Sequence, residues 1–169
     1  VIVSAEKKND NVVNPLMGVQ KLNVKEINSI PVLFGERDIL RALQLLPGVS
    51  AAQESSAGLY VRGGTPDQTL ILYDGFTVYH VDHLNGFFSA FNPHALKDVQ
   101  LYRGGFPAKF GGRASAIADL TSKNGNQKQL NVGGEMGLIS GSAFLEGPIG
   151  KKITFLVTGR RSWQSPIYS

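Results

Sequence analysis

Apolar positions fall at helical spacing in only one stretch of the chain. Within 35–46, Ile39, Leu40, Leu43 and Leu46 recur three and four residues apart, with Glu36, Arg37, Arg41 and Gln44 on the other side, the pattern of an amphipathic helix. Glu36 and Asp38 fall in its first turn, where the helix dipole favours negative charge, and Pro47-Gly48 stop it. Elsewhere the pattern is that of short strands. Residues 19–27 alternate, with Leu22 and Val24 on one face, until Pro31 breaks the run. Residues 59–62 and 69–73 are β-prone, and Asp74-Gly75 is a favoured two-residue hairpin turn that returns 76–79 as a partner strand. The aromatic stretch 84–91 predicts a short helix or buried loop, with Phe87, Phe88 and Phe91 in the core. Asn92-Pro93 supplies an N-cap and a first helical residue for a second short helix. Strands are expected again at 99–102 and 114–121.

The texture changes near Lys123. After the polar linker Lys123-Asn124-Gly125-Asn126, two segments of about ten residues alternate with no helical period. In the first, Leu130, Val132, Met136 and Leu138 face one way, with Asn131 and Glu135 opposite. In the second, Ile153, Phe155 and Val157 oppose Lys152, Thr154, Thr158 and Arg160, and Gly147-Pro148-Ile149-Gly150 is expected to turn before it. Strands of ~9–11 residues with one apolar face suit a membrane β-barrel. Periodicity alone fits an ordinary half-buried hairpin equally well.

Composition narrows the chemistry. The chain has 169 residues, 42% of them hydrophobic, which suits one domain with a real core. Only 18% are charged, which excludes a disordered polyelectrolyte. No apolar run reaches the ~18 residues of a membrane-spanning helix. Without cysteine there are no disulfides, thiolate nucleophiles or cysteine-ligated metals. The net charge of +4 is modest, and Lys7-Lys8, Lys151-Lys152 and Arg160-Arg161 are separate doublets, so no nucleic-acid partner is expected. No Gly-x-Ser-x-Gly elbow and no phosphate loop occur. His80, Asp82 and His83 form a metal-like cluster, but their spacing matches no standard motif, so neither a metal nor a cofactor is expected. The opening Val1-Ile2-Val3-Ser4-Ala5, followed by a polar run up to Pro15, reads as an arm with one adhesive end. Both ends read as those of a piece of something longer.

Four motifs in order carry a family resemblance: Leu59-Tyr-Val-Arg-Gly-Gly, Leu70-Ile-Leu-Tyr-Asp-Gly, Val99-Gln-Leu-Tyr-Arg-Gly-Gly and Phe110-Gly-Gly-Arg-Ala-Ser. With the helix ending Leu45-Leu46-Pro47-Gly48-Val49 before them, they resemble the plug domain of TonB-dependent outer-membrane receptors, nearest to the branch common in Bacteroidetes-type bacteria. The resemblance implies an α+β plug with a small mixed β-sheet and short helices, followed by antiparallel β-hairpin strands of a truncated barrel. It implies an N-terminal arm at 1–18, a plug at 19–123 and the start of a C-terminal barrel at 124–169.

By that resemblance Val1, Ile2, Val3, Ser4 and Ala5 form or adjoin the TonB box, a segment that pairs edge-on with the sheet of a TonB-type energy-coupling protein. Arg62, Arg103 and Arg113, each beside a glycine pair, would meet acidic residues on the plug's own C-terminal barrel. Gly63, Gly64, Gly104, Gly105, Gly111 and Gly112 would be structural, giving tight turns. Tyr79, His80, Asp82 and His83 would form a ligand-facing loop. The implied function is not enzymatic: the plug gates energy-coupled uptake of a small-molecule or oligomeric nutrient (iron chelate, vitamin, glycan or peptide) across the outer membrane. The rival readings are a free-standing periplasmic ligand-binding or adhesion module and, remotely, a hydrolase using His83 or His94.

Overall fold

The computed structural model describes residues 18–23, 26, 29, 37–51, 58–83, 88–138 and 140–163. Five strands form the central sheet: β1 (Val19–Asn23), β4 (Thr69–Tyr73), β5 (Phe76–Thr77), β8 (Leu96–Tyr102) and β9 (Ala116–Ser122), in the order β1-β8-β9-β4-β5. β4 and β9 run parallel and every other pairing is antiparallel, so the sheet is mixed. β2 (Val49–Ala51) pairs with β3 (Leu59–Val61), and β6 (Asp82–His83) with β7 (Phe88–Ser89).

The sheet is buried on both faces because its strands alternate. Ile71 of β4, Val99 and Leu101 of β8, and Ala116, Ala118 and Leu120 of β9 join one cluster with Ile39, Leu40 and Leu43 of the helix α1 (Ile39–Gln44). Leu70, Leu72, Tyr102 and Ile117 point to the other face, where Val19, Phe106 and Phe110 cover them. Leu22 packs on the first cluster and Val19 on the second, as a period of two requires.

Local signals behave as their chemistry dictates. Asp74 and Gly75 both have positive φ (49° and 83°), and Tyr73 pairs with Phe76 across them. This is the twist-matched two-residue hairpin. Asn92 caps one 3-10 turn, Pro93–Ala95, its side-chain oxygen accepting from the His94 amide.

Three expectations need correction. The described helix begins at Ile39, not at 35, and Asp38 is its N-cap instead of a first-turn residue. Phe88–Ser89 is a strand pairing with Asp82–His83, where a helix or loop was expected over 84–91. Phe91 is in the core, while Val24, Glu36, Phe87 and the Phe88 side chain lie outside what is described.

The third correction concerns the end of the chain. It forms three strands, β10 (Asn131–Met136), β11 (Ser140–Ile149) and β12 (Ile153–Ser162), in an antiparallel outer sheet. Gly147, Pro148 and Ile149 therefore belong to a strand, not a turn, and the reversal falls at Gly150 to Lys152. Pro148 is tolerated because pairing with β10 has already ended at Asn131↔Glu146, so its missing N–H interrupts no ladder on that side.

Candidate functional site

The outer sheet has two chemically different faces. Val132, Leu145 and Val157 lie in one cross-strand row, with Met136, Ile149 and Ile153 on the same side. All are exposed, from 37% for Leu145 to 87% for Met136. The opposite face carries Asn131 and Glu135 of β10, Ser142, Phe144 and Glu146 of β11, and Leu156, Thr158 and Arg160 of β12. That polar face meets the segments that flank the central sheet, and the seam between them is the candidate site.

Three basic side chains hold the seam. Arg37, just before the cap of α1, forms an ion pair with Glu135. His94, in the 3-10 turn, brings its Nε2 to 3.9 Å of the same carboxylate and lays its ring 4.7 Å from that of Phe144. Lys123, one residue beyond β9, donates from Nζ to Glu146 at 2.8 Å, and Asn131 donates to the same oxygen at 3.3 Å. The Glu146 side chain is only 4% exposed, so Lys123 neutralises a carboxylate removed from water. From the outer sheet, Arg160 reaches back and donates to the carbonyls of Ser89 (2.6 Å) and Phe91 (3.4 Å). Ser89 in turn donates its amide to the buried Asp38 carboxylate, which also accepts from the amides of Leu40 and Arg41. The cap of α1, the strand β7 and the outer strand β12 are thus linked through one aspartate and one backbone segment.

A cavity of about 420 Å³ opens beside the seam, lined by Tyr73, Ser122, Lys123, Thr154, Leu156 and Thr158 among others. Burial, then the nearby Asp74, raises the Tyr73 hydroxyl above its ordinary value, so it remains a proton donor. On the opposite face of the central sheet, burial raises Asp119; Lys109 opposes that shift, and Asp98 and Asp74 add to it.

The residues singled out in the sequence lie elsewhere. Arg62 and the loop 103–115 gather at one end of the central sheet, where Ser115 donates its hydroxyl to Val61 O and its amide to Gln68 O. Arg103 donates to Pro47 O, Arg113 to the adjacent Gly112 O, and the Arg62 guanidinium lies against Gly104. Gly63, Gly104, Gly105 and Gly112 have positive φ, a Cβ on Gly64 would lie 2.1 Å from Ser115 Oγ, and one on Gly111 would meet nothing within 4 Å. Tyr79 and His80 are exposed in the segment between β5 and β6, and Asp82 and His83 form β6; the last two side chains lie outside the described residues. So do Val1 to Ala5.

Sequence reading missed Arg37, Lys123, Glu135, Glu146 and Arg160 as partners. Glu135 and Arg160 were visible on the polar side of alternating strands, but nothing local names what they oppose.

Comparison with known proteins agrees with this architecture. The family model for the TonB-dependent Receptor Plug Domain matches residues 18–117, more than half of the chain. No curated protein matches in sequence. Among solved structures, the siderophore receptor PirA from Acinetobacter baumannii is similar with a TM-score of 0.63 at 18% identity, over 95% of this chain and 26% of that one. BauA, the ferric preacinetobactin receptor from the same organism, gives 0.57 at 15%, over 84% and 22%. The alcaligin outer membrane receptor FauA from Bordetella pertussis gives 0.56 at 17%, over 88% and 27%. At these identities the likeness is one of fold, and the chain spans about a quarter of each receptor's length. By its matched residues and its mixed sheet, the chain belongs to the TonB-dependent receptor plug domain family.

Proposed function

We propose that this chain is the plug and the first wall strands of an outer-membrane receptor that gates energy-coupled uptake of an iron chelate. One observation carries the reading: Arg37 before α1 and Lys123 just past β9 are ion-paired to carboxylates on the polar face of an outer sheet whose other face is apolar and exposed. A plug inside a barrel needs that arrangement, with polar contacts facing the lumen and apolar side chains facing lipid. The iron chelate follows from the names of similar receptors, PirA being named a siderophore receptor and BauA a ferric preacinetobactin receptor, and goes no further than the class.

On this reading residues 1–18 form the arm, 19–123 the plug and 124–169 the start of the barrel. A TonB-type energy-coupling protein grips Val1 to Ala5, and the ligand meets Tyr79, His80, Asp82 and His83. Arg62, Arg103 and Arg113 meet carboxylates on the wall of the barrel. The seam suits a gate because water can replace the hydrogen bonds of polar contacts as they part.

The test is an immunoblot of fractionated native cells with an antibody raised against residues 19–123. The expected result is an outer-membrane band several times heavier than 18.2 kDa. A soluble band near that mass would replace the gate with a free-standing binding module.

A further inference from the structure

Arg160 and Arg161 are neighbours in sequence, yet the period of two along β12 sends them to opposite faces. Arg160 turns inward and donates to the Ser89 and Phe91 carbonyls. Arg161 stands exposed on the apolar face, in a cross-strand row with Gly141 and Met136. Among the described outward positions of β10, β11 and β12 it is the one charged residue, the rest being apolar or glycine. No carboxylate pairs with it among the described residues. In water such a cation is simply hydrated; on a face turned to lipid it requires an anion.

Two features put Arg161 at the edge of a membrane and not within it. The first is Trp163, whose indole covers Gly141, the cross-strand partner of Arg161: a Cβ on Gly141 would lie 3.2 Å from Trp163 Cη2. The indole N–H donates to Leu138 O at 2.7 Å, which fixes the ring. An amphipathic ring beside a basic residue at the end of an apolar strand is the composition of a bilayer interface. The second feature is length. Lys152, just before β12, and Arg161 are nine residues apart, about 30 Å of strand. At the ~40° tilt of a barrel strand that is roughly 23 Å of height, close to the ~25 Å apolar band of such barrels.

The neighbouring arginine fixes which edge this is. Arg160 reaches Ser89, which pairs with Asp82 of β6, so this end of β12 stands beside the segment assigned above to the ligand. We propose that Arg161, beside Trp163, binds the phosphate of an anionic lipid headgroup at the ligand-side edge of the bilayer. The guanidinium supplies a charged fork for the phosphate oxygens. The exposed Leu145 and Val157, on the same face toward Lys152, receive the acyl chains. The site rests on the receptor reading, because only a lipid-facing sheet meets such a headgroup.

Photo-cross-linking of the full-length protein in phosphatidylcholine nanodiscs tests the site. The probe is phosphatidylglycerol with a photoactivatable headgroup, and the readout is its yield on the peptide that carries residues 153–163. That yield should exceed the yield from an equally labelled phosphatidylcholine, whose choline masks the phosphate charge. Arg161→Gln should lower it about fivefold, the effect of one basic residue at an anionic surface. Arg161→Lys should keep most of it, since the charge remains and only the fork is lost. Lys109→Gln removes an exposed cation from the 103–115 loop, away from the apolar face, and should change nothing. Inorganic phosphate should not compete, because the apolar face also holds the lipid chains. Equal yields from the two lipids, an unchanged yield in Arg161→Gln, an equal loss in Lys109→Gln, or competition by inorganic phosphate would each overturn the site while leaving the receptor reading intact. Protein that does not enter nanodiscs would overturn the receptor reading, and the site with it.

Discussion

Asp38 joins parts of the chain that lie far apart in sequence. One carboxylate oxygen accepts from the Leu40 and Arg41 amides and the other from the Ser89 amide. At an ordinary N-cap asparagine replaces aspartate at almost no cost. Here it cannot, because its NH₂ group would face the Ser89 N–H, placing donor against donor in a site only 3% exposed. Asp38→Asn should therefore lower unfolding stability by about 1–3 kcal/mol, the cost of a buried unsatisfied group. Urea denaturation of the chain measures it, and a change near zero would mean that the Ser89 bond contributes nothing. The sequence identified Asp38 as a helix-start residue, since helix capping is local. It could not reveal Ser89, which meets Asp38 only once β7 has folded against the helix.

At the scale of elements, the seam between the two sheets depends on pairs of unequal burial. Arg37–Glu135 is partly exposed on both sides, at 27% and 21%, and solvent screening leaves such a pair little net worth. Lys123–Glu146 differs, because Glu146 is 4% exposed while Lys123 is 31%. Lys123→Met strands a buried carboxylate and should cost about 2–3 kcal/mol, somewhat below the ~3–5 of a fully buried pair because the lysine is part-solvated. Changing both residues, Lys123→Met with Glu146→Leu, should recover most of that loss, since no uncompensated charge remains. The single tryptophan, Trp163, donates to Leu138 O within the outer sheet, so its emission during unfolding reports on these strands. Equal losses in the single and double variants would mean that packing, not charge, decides this contact.

For the molecule as a whole, the exposed apolar face governs behaviour outside a membrane. Val132, Met136, Leu145, Ile149, Ile153 and Val157 form a patch of the kind that soluble monomers rarely carry. β10 and β12 are also the two edges of the outer sheet. The 169-residue chain should therefore self-associate in plain buffer and become monodisperse in mild detergent, as sedimentation velocity would record. Replacing Val132 and Val157 by aspartate should remove the need for detergent. A wild-type chain that sediments as a monomer without detergent would rule out a lipid-facing role for this surface.

Much of this architecture is written in short-range chemistry. The Asp74-Gly75 hairpin, the Asn92 cap, the helix core residues and the alternation that divides apolar from polar faces each depend on neighbours within a few residues, and each is legible in the chain. The helix start is not legible, because Asp38 fits a cap and a first turn equally well in sequence. The turn placed at Gly147 to Gly150 failed for a different reason: Pro148 is barred from a strand only where a neighbour needs its N–H, and where β10 ends is a fact of register. Local chemistry sets the core of the helix, the Asp74-Gly75 hairpin, the alternating faces and, through four ordered motifs, the family, but not the β6–β7 pair or the strand β11. Tertiary structure alone decided the partners. Arg37 finds Glu135 and Lys123 finds Glu146 across 98 and 23 residues, because packing brings them together and no local propensity encodes such distances.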